Sequence, residues 1–187
     1  MSDILHTQKD EDIAKAVQCG DADAFTELVR RYQQPLFRFA HSLLRDYHSA
    51  QDVVQNAFLK GFINIKSFDV QRSFSSWIYR IVRNEAISLL RKQKRTVAIP
   101  AHLDVHDESV HIERDIERQF TAAHIHACIQ EMPILYAEPM VLYFLEEKSY
   151  EEISDILRIP ISTVGTRLRR AKQLLQKSCQ NKTIISM

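Results

Sequence analysis

The 187-residue chain is 45% hydrophobic and 26% charged, and it contains only 3 glycines and 5 prolines. That length suffices for one core of ordinary size or two small ones. So few turn-forming residues exclude a chain built from many β-turns and favour helices joined by short connections. The formal net charge of +1 excludes a uniformly basic nucleic-acid binder and an acidic disordered chain.

Other protein classes are excluded by local composition. Residues 1–12 are polar and acidic, so we expect no secretory signal, and no stretch approaches the roughly 20 apolar residues that span a bilayer. The three cysteines form an odd, widely spaced set, which favours free thiols over a redox switch. They are Cys19, Cys128 and Cys179. We therefore expect a soluble, cytoplasmic, all-α protein with no direct membrane insertion.

The charges alternate in blocks along the chain. The net charge is +5 over residues 79–95, −5 over residues 96–131 and +6 over residues 158–177. Two basic segments separated by an acidic one indicate two separate sites for a polyanion. Two solvated helix faces would give the same pattern, so the charge alone does not decide between them.

The first half of the chain predicts a bundle of helices. Apolar residues recur every three or four positions over residues 24–44, which predicts a helix with a kink or a break at Pro35. Ser49 and Asp52 resemble a capping box, so a second helix is expected to start there and to end near Ile65. After a loop, an amphipathic helix is predicted from about residue 74 to residue 94.

The middle of the chain has the composition of a linker. Residues 96–118 contain Pro100, many acids and few apolar side chains, which favours a flexible connection between two small helical domains. We therefore expect domains at residues 1–95 and 119–187, joined by an acidic linker at residues 96–118. The helices predicted after the linker lie at residues 118–131, 137–146, 150–157 and 161–178.

The last two predicted helices form a helix-turn-helix pattern. The first helix places Ile153, Ile156 and Leu157 on one face, and residues 158–160 interrupt it before the second helix begins. The inward stripe of the second helix consists of Val164, Leu168, Ala171 and Leu175. Its opposite face carries hydroxyl, amide and guanidinium groups that suit base edges and phosphates in a major groove.

A second polar stripe lies on the amphipathic helix of the first domain. Arg80, Asn84 and Arg91 share one side of this helix, and Ile87 lies beside them. Such a stripe suits a surface that follows phosphates and hydrogen-bonds a base. In the loop before it, Phe68 is either a stacking platform for an unstacked base or a core residue, and the sequence leaves both possibilities open.

These segments resemble a known family. The runs AQDVVQNAFLK at residues 50–60 and FSSWIYRIVRNEAISLLRK at residues 74–92 resemble region 2 of bacterial sigma factors. Residues 150–172, which contain PISTVGTRLRRA at residues 160–171, are similar to region 4. With both blocks in order across about residues 23–177, the chain is identified as a member of the extracytoplasmic-function (ECF) group.

The resemblance implies a function in transcription initiation. Family members bind core RNA polymerase, recognise the −35 element with the helix-turn-helix and open DNA at the −10 element with region 2. It implies contacts with the β′ coiled coil through Asp52, Gln55 and Asn56, although an acid is usual where Asn56 stands, and contacts with the β flap. It also implies promoter DNA and an anti-sigma factor as partners, no cofactor, and no catalytic residues.

The resemblance also assigns two sets of DNA-binding residues. The −10 set consists of Lys66, Ser67, Phe68, Asp69, Arg80, Asn84, Ile87 and Arg91. The −35 set consists of Ser162, Thr166, Arg167, Arg169, Arg170 and Gln173, with Gly165 in place of the basic residue often found there.

Two alternatives remain open at this point. A stand-alone helix-turn-helix regulator would explain the C-terminal pattern, but it would not need the second basic helix with Asn84 and Trp77. An enzyme with a zinc site is the other, since His124 and Cys128 share a predicted helix face while His126 points elsewhere. The remaining histidines of this group, His102, His106 and His111, lie in the predicted linker. We expect no metal site and no enzymatic activity.

Overall fold

The computed structural model of the protein describes residues 8–96, residue 129 and residues 132–185. These residues form seven α-helices. They are α1 (Asp10–Gln18), α2 (Phe25–Leu44), α3 (Tyr47–Asn64), α4 (Phe74–Thr96), α5 (Ile134–Phe144), α6 (Tyr150–Leu157) and α7 (Ile161–Ile185). The predicted all-α class is confirmed. Residue 96, the first of the predicted linker, belongs to α4, whereas residues 97–118 and nearly all of the helix expected at residues 118–131 lie outside the described residues.

Helix α2 passes through Pro35 without a break. Proline removes one backbone hydrogen bond and crowds the preceding turn, at a cost of about 3 kcal/mol in a helix interior. Leu28 and Leu36 on either side of it are fully buried. Because most helix stability in proteins comes from packing an apolar face, this burial outweighs the local cost, and the expected break does not occur.

Helix α3 begins earlier than the sequence pattern predicts. Asp46, not Ser49, is the N-cap residue, and its carboxylate accepts a hydrogen bond of 2.7 Å from the backbone N–H of Ser49. This bond lowers the pKa of Asp46. Arg45, just before it, adopts a left-handed conformation with φ of 59° and ends α2. The two helices are therefore joined by a tight two-residue connection.

Helices α3 and α4 approach closely at Gly61. A side chain at this position would bring its Cβ within 3.1 Å of Cδ1 of Ile78 and 3.7 Å of the Phe25 ring. Helices cross at 8–10 Å only when their contact residues allow it. Gly61 thus permits the packing that holds α2, α3 and α4 together.

The C-terminal helices form a second packed unit. Ser149 caps α6 in a reciprocal capping box with Glu152, and Arg158, with φ of 56°, makes the turn into α7. Both predicted stripes are buried. Helix α5 extends from Ile134 to Phe144, so it starts three residues earlier than expected.

The two units pack against each other. Helix α2 contacts α5, and helix α4 contacts α6. The buried residues of both units form one cluster. Within the described ranges, no helix combines the length and the apolar character that crossing a bilayer requires.

Candidate nucleic-acid interface

The segment between α3 and α4, residues 65–73, is irregular but well hydrogen-bonded. It starts with a 3-10 turn, Ile65–Ser67, and Asp69 then organises a second turn by accepting a hydrogen bond of 3.0 Å from the backbone N–H of Gln71. The side chains of Lys66, Ser67 and Asp69 are exposed. This α3–α4 segment therefore presents three polar members of the predicted −10 set to solvent.

Phe68 does not present its ring to solvent. The side chain is 5% exposed, and the ring centroid lies 5.5 Å from that of Phe74 and 5.1 Å from that of Trp77. This is the core alternative that the sequence left open, because three aromatic rings in contact bury a large apolar area. The ring is therefore not available as a stacking platform in this arrangement.

The predicted stripe on α4 is only partly open. Asn84 and Arg91 are exposed, and Ile87 is half-buried. Arg80 instead donates a hydrogen bond of 3.0 Å from Nη1 to Oδ1 of Asp155 on α6. Burial lowers the pKa of Arg80, and the nearby Asp155 opposes that shift. In this arrangement three of the four stripe residues face solvent at least in part, and Arg80 is paired with the second unit.

An apolar groove separates α2 and α3. It encloses a cavity of about 940 Å³. Its walls carry Phe25, Val29, Gln33, Gln34, Phe37, Tyr47, Gln51, Asp52, Val54, Gln55, Phe58, Leu59 and Phe62. Leu59 is 55% exposed and Phe62 is 42% exposed. Large apolar side chains left in contact with water in a concave surface mark a binding site.

Two of the three predicted polymerase contacts border this apolar groove. Asp52 and Gln55 line it, and Asn56 is exposed on the same helix outside it. The sequence analysis singled out these polar residues but missed the apolar ones between them. The sequence did contain an indication of these apolar residues. Leu59, Phe62 and Ile63 are large apolar side chains spread too widely around α3 for one buried face to cover all of them.

Helix α7 leaves most residues of the predicted −35 set at least partly open to solvent. Ser162 and Thr166 are exposed, and Arg169, Arg170 and Gln173 are half-buried. The Thr166 hydroxyl donates to the carbonyl oxygen of Ser162 at 3.1 Å, which leaves its oxygen free to accept a hydrogen bond. These groups have the chemistry to contact base edges and phosphates in a major groove.

Arg167 lies apart from the rest of the −35 set. Burial lowers its pKa, and the charges that act on it are those of Glu138, Arg83 and Tyr136. These residues lie at the junction of the two units. Arg167 is oriented this way because it lies on the side of α7 between the inward stripe and the exposed face.

Two buried glutamates on the second unit bind the first. Glu138 is 2% exposed and accepts two hydrogen bonds from Arg83, at 2.9 and 3.1 Å. Glu146 accepts two from Arg38, both at 3.1 Å, and one from the Tyr79 hydroxyl at 2.7 Å. We call these five residues the glutamate interface.

The glutamate interface was not predicted from the sequence. Its partners lie 55 to 108 residues apart in the chain, so no local spacing indicates them. The available signal was Glu138 within the apolar run ILYAEPMVLYF. A carboxylate on a buried helix face needs a cation or several donors, because desolvating an unpaired charge is costly.

Helix α1 contacts both ends of the α3–α4 segment. The side-chain amide of Gln18 donates to the carbonyl oxygens of Ile65 at 2.7 Å and Phe68 at 2.8 Å. Glu11 accepts a hydrogen bond of 2.9 Å from the backbone N–H of Phe74, the first residue of α4. The sequence analysis assigned no role to α1.

The residues considered for zinc are not described: His102, His106, His111, His124, His126 and Cys128 lie outside the described ranges. Among the residues that are described, no group of three or more His, Cys, Asp or Glu side chains is placed to hold a metal ion. Cys19 is an exposed free thiol.

Comparisons with known proteins agree with this geometry. The Sigma-70 region 2 family matches residues 28–96, and the Sigma-70, region 4 family matches residues 123–175. The ECF RNA polymerase sigma factor SigW of Bacillus subtilis is 32% identical and is covered over 95% of its length by 89% of this chain. The RNA polymerase sigma-H factor of Pseudomonas aeruginosa is 31% identical, with 95% of this chain and 97% of that protein covered.

Solved structures show the same fold. CnrH in complex with the cytosolic domain of CnrY aligns with a TM-score of 0.69 at 22% identity, over 90% of this chain and 95% of that one. The sigma factor RpoE in complex with the anti-sigma factor NepR, from Bartonella quintana, gives 0.67 at 26% identity, over 83% and 96%. With both sigma regions matched in order and relatives aligned over nearly their full length, the chain belongs to the ECF sigma factors of bacterial RNA polymerase.

Proposed function

We propose that three surfaces of this promoter-specific initiation factor have separate functions. The apolar groove docks core RNA polymerase, the α3–α4 segment with the exposed side of α4 recognises and opens the −10 element, and α7 reads the −35 element. The observation that carries the proposal is one domain with two open surfaces: an apolar groove bordered by Asp52 and Gln55, and a polar face with Asn84 and Arg91. A stand-alone helix-turn-helix regulator needs neither surface.

The groove suits a helical partner. An amphipathic helix binds by inserting apolar side chains into such a groove, while polar residues at the rim fix its orientation. Phe58, Leu59 and Phe62 supply the apolar floor and wall, and Asp52 and Gln55 supply the rim. This supports the β′ coiled coil as the occupant, with Asn56 as a further contact outside the groove. The β flap is proposed to contact the second unit.

The −10 surface suits single-stranded DNA. Lys66 and Arg91 offer charge to phosphates, and Asn84, Ser67 and Asp69 offer donors and acceptors to the edge of an unstacked base. Ile87 provides apolar contact beside them. Arg80 joins this surface only when a phosphate replaces Asp155 as its partner, so its use requires the two units to move apart.

The −35 surface suits duplex DNA. Thr166 and Ser162 lie near the start of α7, where a recognition helix enters the major groove. Arg169, Arg170 and Gln173 follow on the same side and extend the contact toward the phosphates. The charge of Arg167 interacts with that of Glu138 and would help to hold α7 in place until the two units separate.

The proposal assigns all chemistry to the polymerase. The chain itself would act in the cytoplasm, without a cofactor and without enzymatic activity, as a specificity subunit. An anti-sigma partner is proposed as its regulator, supported by the fact that the Bartonella quintana sigma factor RpoE was solved in complex with the anti-sigma factor NepR.

Matched variants on α4 and α7 test this division. Asn84→Ala should lower permanganate reactivity of −10 thymines about tenfold while core affinity stays unchanged, because one base contact is worth roughly 1–3 kcal/mol. Thr166→Val should change the preference among −35 sequences without affecting opening of premelted templates. The control is Gln93→Ala, since Gln93 is an exposed amide on the opposite side of α4. Equal opening by the Asn84 and Gln93 variants would refute the −10 assignment.

A further inference from the structure

We propose that Gln18 and Glu11 of α1 are positioning residues that hold the α3–α4 segment in the shape that recognises −10 DNA. The inference rests on the proposed −10 function of this segment. It concerns residues that touch no DNA themselves and that lie outside both sigma-family matches, the first of which begins at residue 28.

The contacts of Gln18 restrain the start of the segment. Its single Nε2 group donates to two carbonyl oxygens, those of Ile65 and Phe68, at 2.7 and 2.8 Å. An amide has two N–H donors, and both are used here. Because the two carbonyls lie on either side of Lys66 and Ser67, one side chain fixes the backbone that presents these two residues to solvent.

Glu11 restrains the other end. Its Oε1 accepts the backbone N–H of Phe74 at 2.9 Å, where α4 begins and no helical carbonyl is available. The Ser73 hydroxyl accepts the N–H of Ser76 at 3.2 Å and completes the cap. Helix α1 therefore helps to set the direction of the first turn of α4. This direction determines where Asn84 lies relative to Asp69.

Helix α1 is itself firmly attached. Ile13 and Ala14 are fully buried. Asp10 pairs with Arg31 at 2.6 Å and accepts a hydrogen bond from the Tyr32 hydroxyl. A restraint from a fixed helix can order an irregular segment, whereas one from a loose terminus would not.

The effect on DNA binding follows from preorganisation. Fixing the backbone of a residue costs conformational entropy. Because α1 fixes residues 65–69 during folding, this segment does not have to be ordered when single-stranded DNA binds. The burial of Phe68 against Phe74 and Trp77 holds the segment from below, so removing the α1 bonds should loosen its exposed residues without unfolding the core.

The test uses the full chain bound to core polymerase. The probe is a single-stranded oligonucleotide with the −10 sequence that the wild-type holoenzyme selects from a randomised library, compared with its single-base variants. Gln18→Met keeps the side-chain length and removes both donors. It should lower the ratio of matched to mismatched affinity at least about fivefold, because two hydrogen bonds are lost and one alone is worth roughly that factor. The control is Cys19→Ser, because the neighbouring Cys19 is exposed.

A second pair of variants separates positioning from charge. Glu11→Gln and Glu11→Met remove the same negative charge, but only glutamine keeps an acceptor for the Phe74 N–H. Glutamine should retain the wild-type ratio, and methionine should lower it. Core affinity should stay within about twofold in every variant.

The outcomes are distinguishable from failure of the proposed function. If the wild-type holoenzyme selects no −10 sequence, the proposed function fails. If it selects one and Gln18→Met leaves the ratio unchanged, or if both Glu11 variants behave alike, the positioning role is refuted while the proposed function stands.

Discussion

Helix α2 takes part in two surfaces with opposite properties. On one side, Arg38 joins the glutamate interface, where the carboxylates of Glu138 and Glu146 are buried and bonded to partners in the chain. On the other, Phe25 and Phe37 line the apolar groove, where Leu59 and Phe62 stay in contact with water. The first surface is complete within the chain. The second has the composition of half an interface, which is why we assign it to the polymerase.

The largest expected effect comes from the buried pair Arg83–Glu138. Arg83→Met leaves the buried Glu138 carboxylate without the guanidinium that donates two hydrogen bonds to it, so the free energy of unfolding should fall by about 3 kcal/mol. Urea denaturation at neutral pH measures it. Arg72→Met is the control, because the Arg72–Asp69 pair is exposed and 3.6 Å apart, and exposed pairs contribute about 0–1 kcal/mol.

A double variant tests whether the loss comes from the unpaired charge. Arg83→Met combined with Glu138→Leu removes both charges and should recover most of the stability, because replacing a whole buried pair is often neutral. If the double variant were as unstable as Arg83→Met alone, the loss would reflect packing and not the buried carboxylate.

The next effect concerns the groove. Leu59→Gln and Phe62→Gln should each lower affinity for core polymerase at least about tenfold, as expected for interface anchors. Stability should change little, because these side chains are already exposed. Ile63→Gln is the matched control: Ile63 is 75% exposed and does not line the groove. Equal losses of affinity at all three positions would show that the groove is not the docking site.

The smallest effect is a pH dependence of the Arg83 variant. Burial raises the pKa of Glu138, and Arg83 opposes the shift. The Glu138 carboxyl therefore stays protonated to higher pH in the folded protein than in the unfolded chain. This protonation stabilises the folded protein at low pH, and the stabilisation is lost as the pH rises through the folded-state pKa. Arg83→Met raises that pKa further.

The stability deficit of Arg83→Met should therefore shrink as the pH is lowered from about 7.5 to about 5. Urea titrations of wild type and variant across this range measure the difference. The double variant with Glu138→Leu has no carboxyl at this position, so its own free energy of unfolding should not change with pH through residue 138. A deficit that stays constant in the single variant would contradict a buried, titrating Glu138.

The sequence predicted what depends on local periodicity. The inward stripe Val164, Leu168, Ala171 and Leu175 is buried as expected, because a helical repeat largely determines which face is apolar. The pattern misplaced the start of α3, since Asp46 and Ser49 are both acceptable caps and the choice depends on the left-handed turn at Arg45. It also predicted a kink or a break at Pro35, and tertiary packing prevents the break.

The site was predictable in part for the same reason. Asn84 and Arg91 are exposed because the α4 stripe is a local property. The pairing of Arg80 with Asp155 and the Gln18 bonds to residues 65 and 68 join segments 47 to 75 residues apart. Such contacts are determined by packing between elements, which spacing within one helix does not encode.

In vitro transcription tests the central claim most directly. Core RNA polymerase free of other sigma factors is supplied with this chain and a library of promoters, and the transcripts are sequenced. The account predicts transcripts from templates that share two sequence blocks at a fixed separation, and their loss with the Leu59→Gln, Phe62→Gln double variant. No transcription above that of core alone, together with tight binding of the chain to duplex DNA without polymerase, would contradict it.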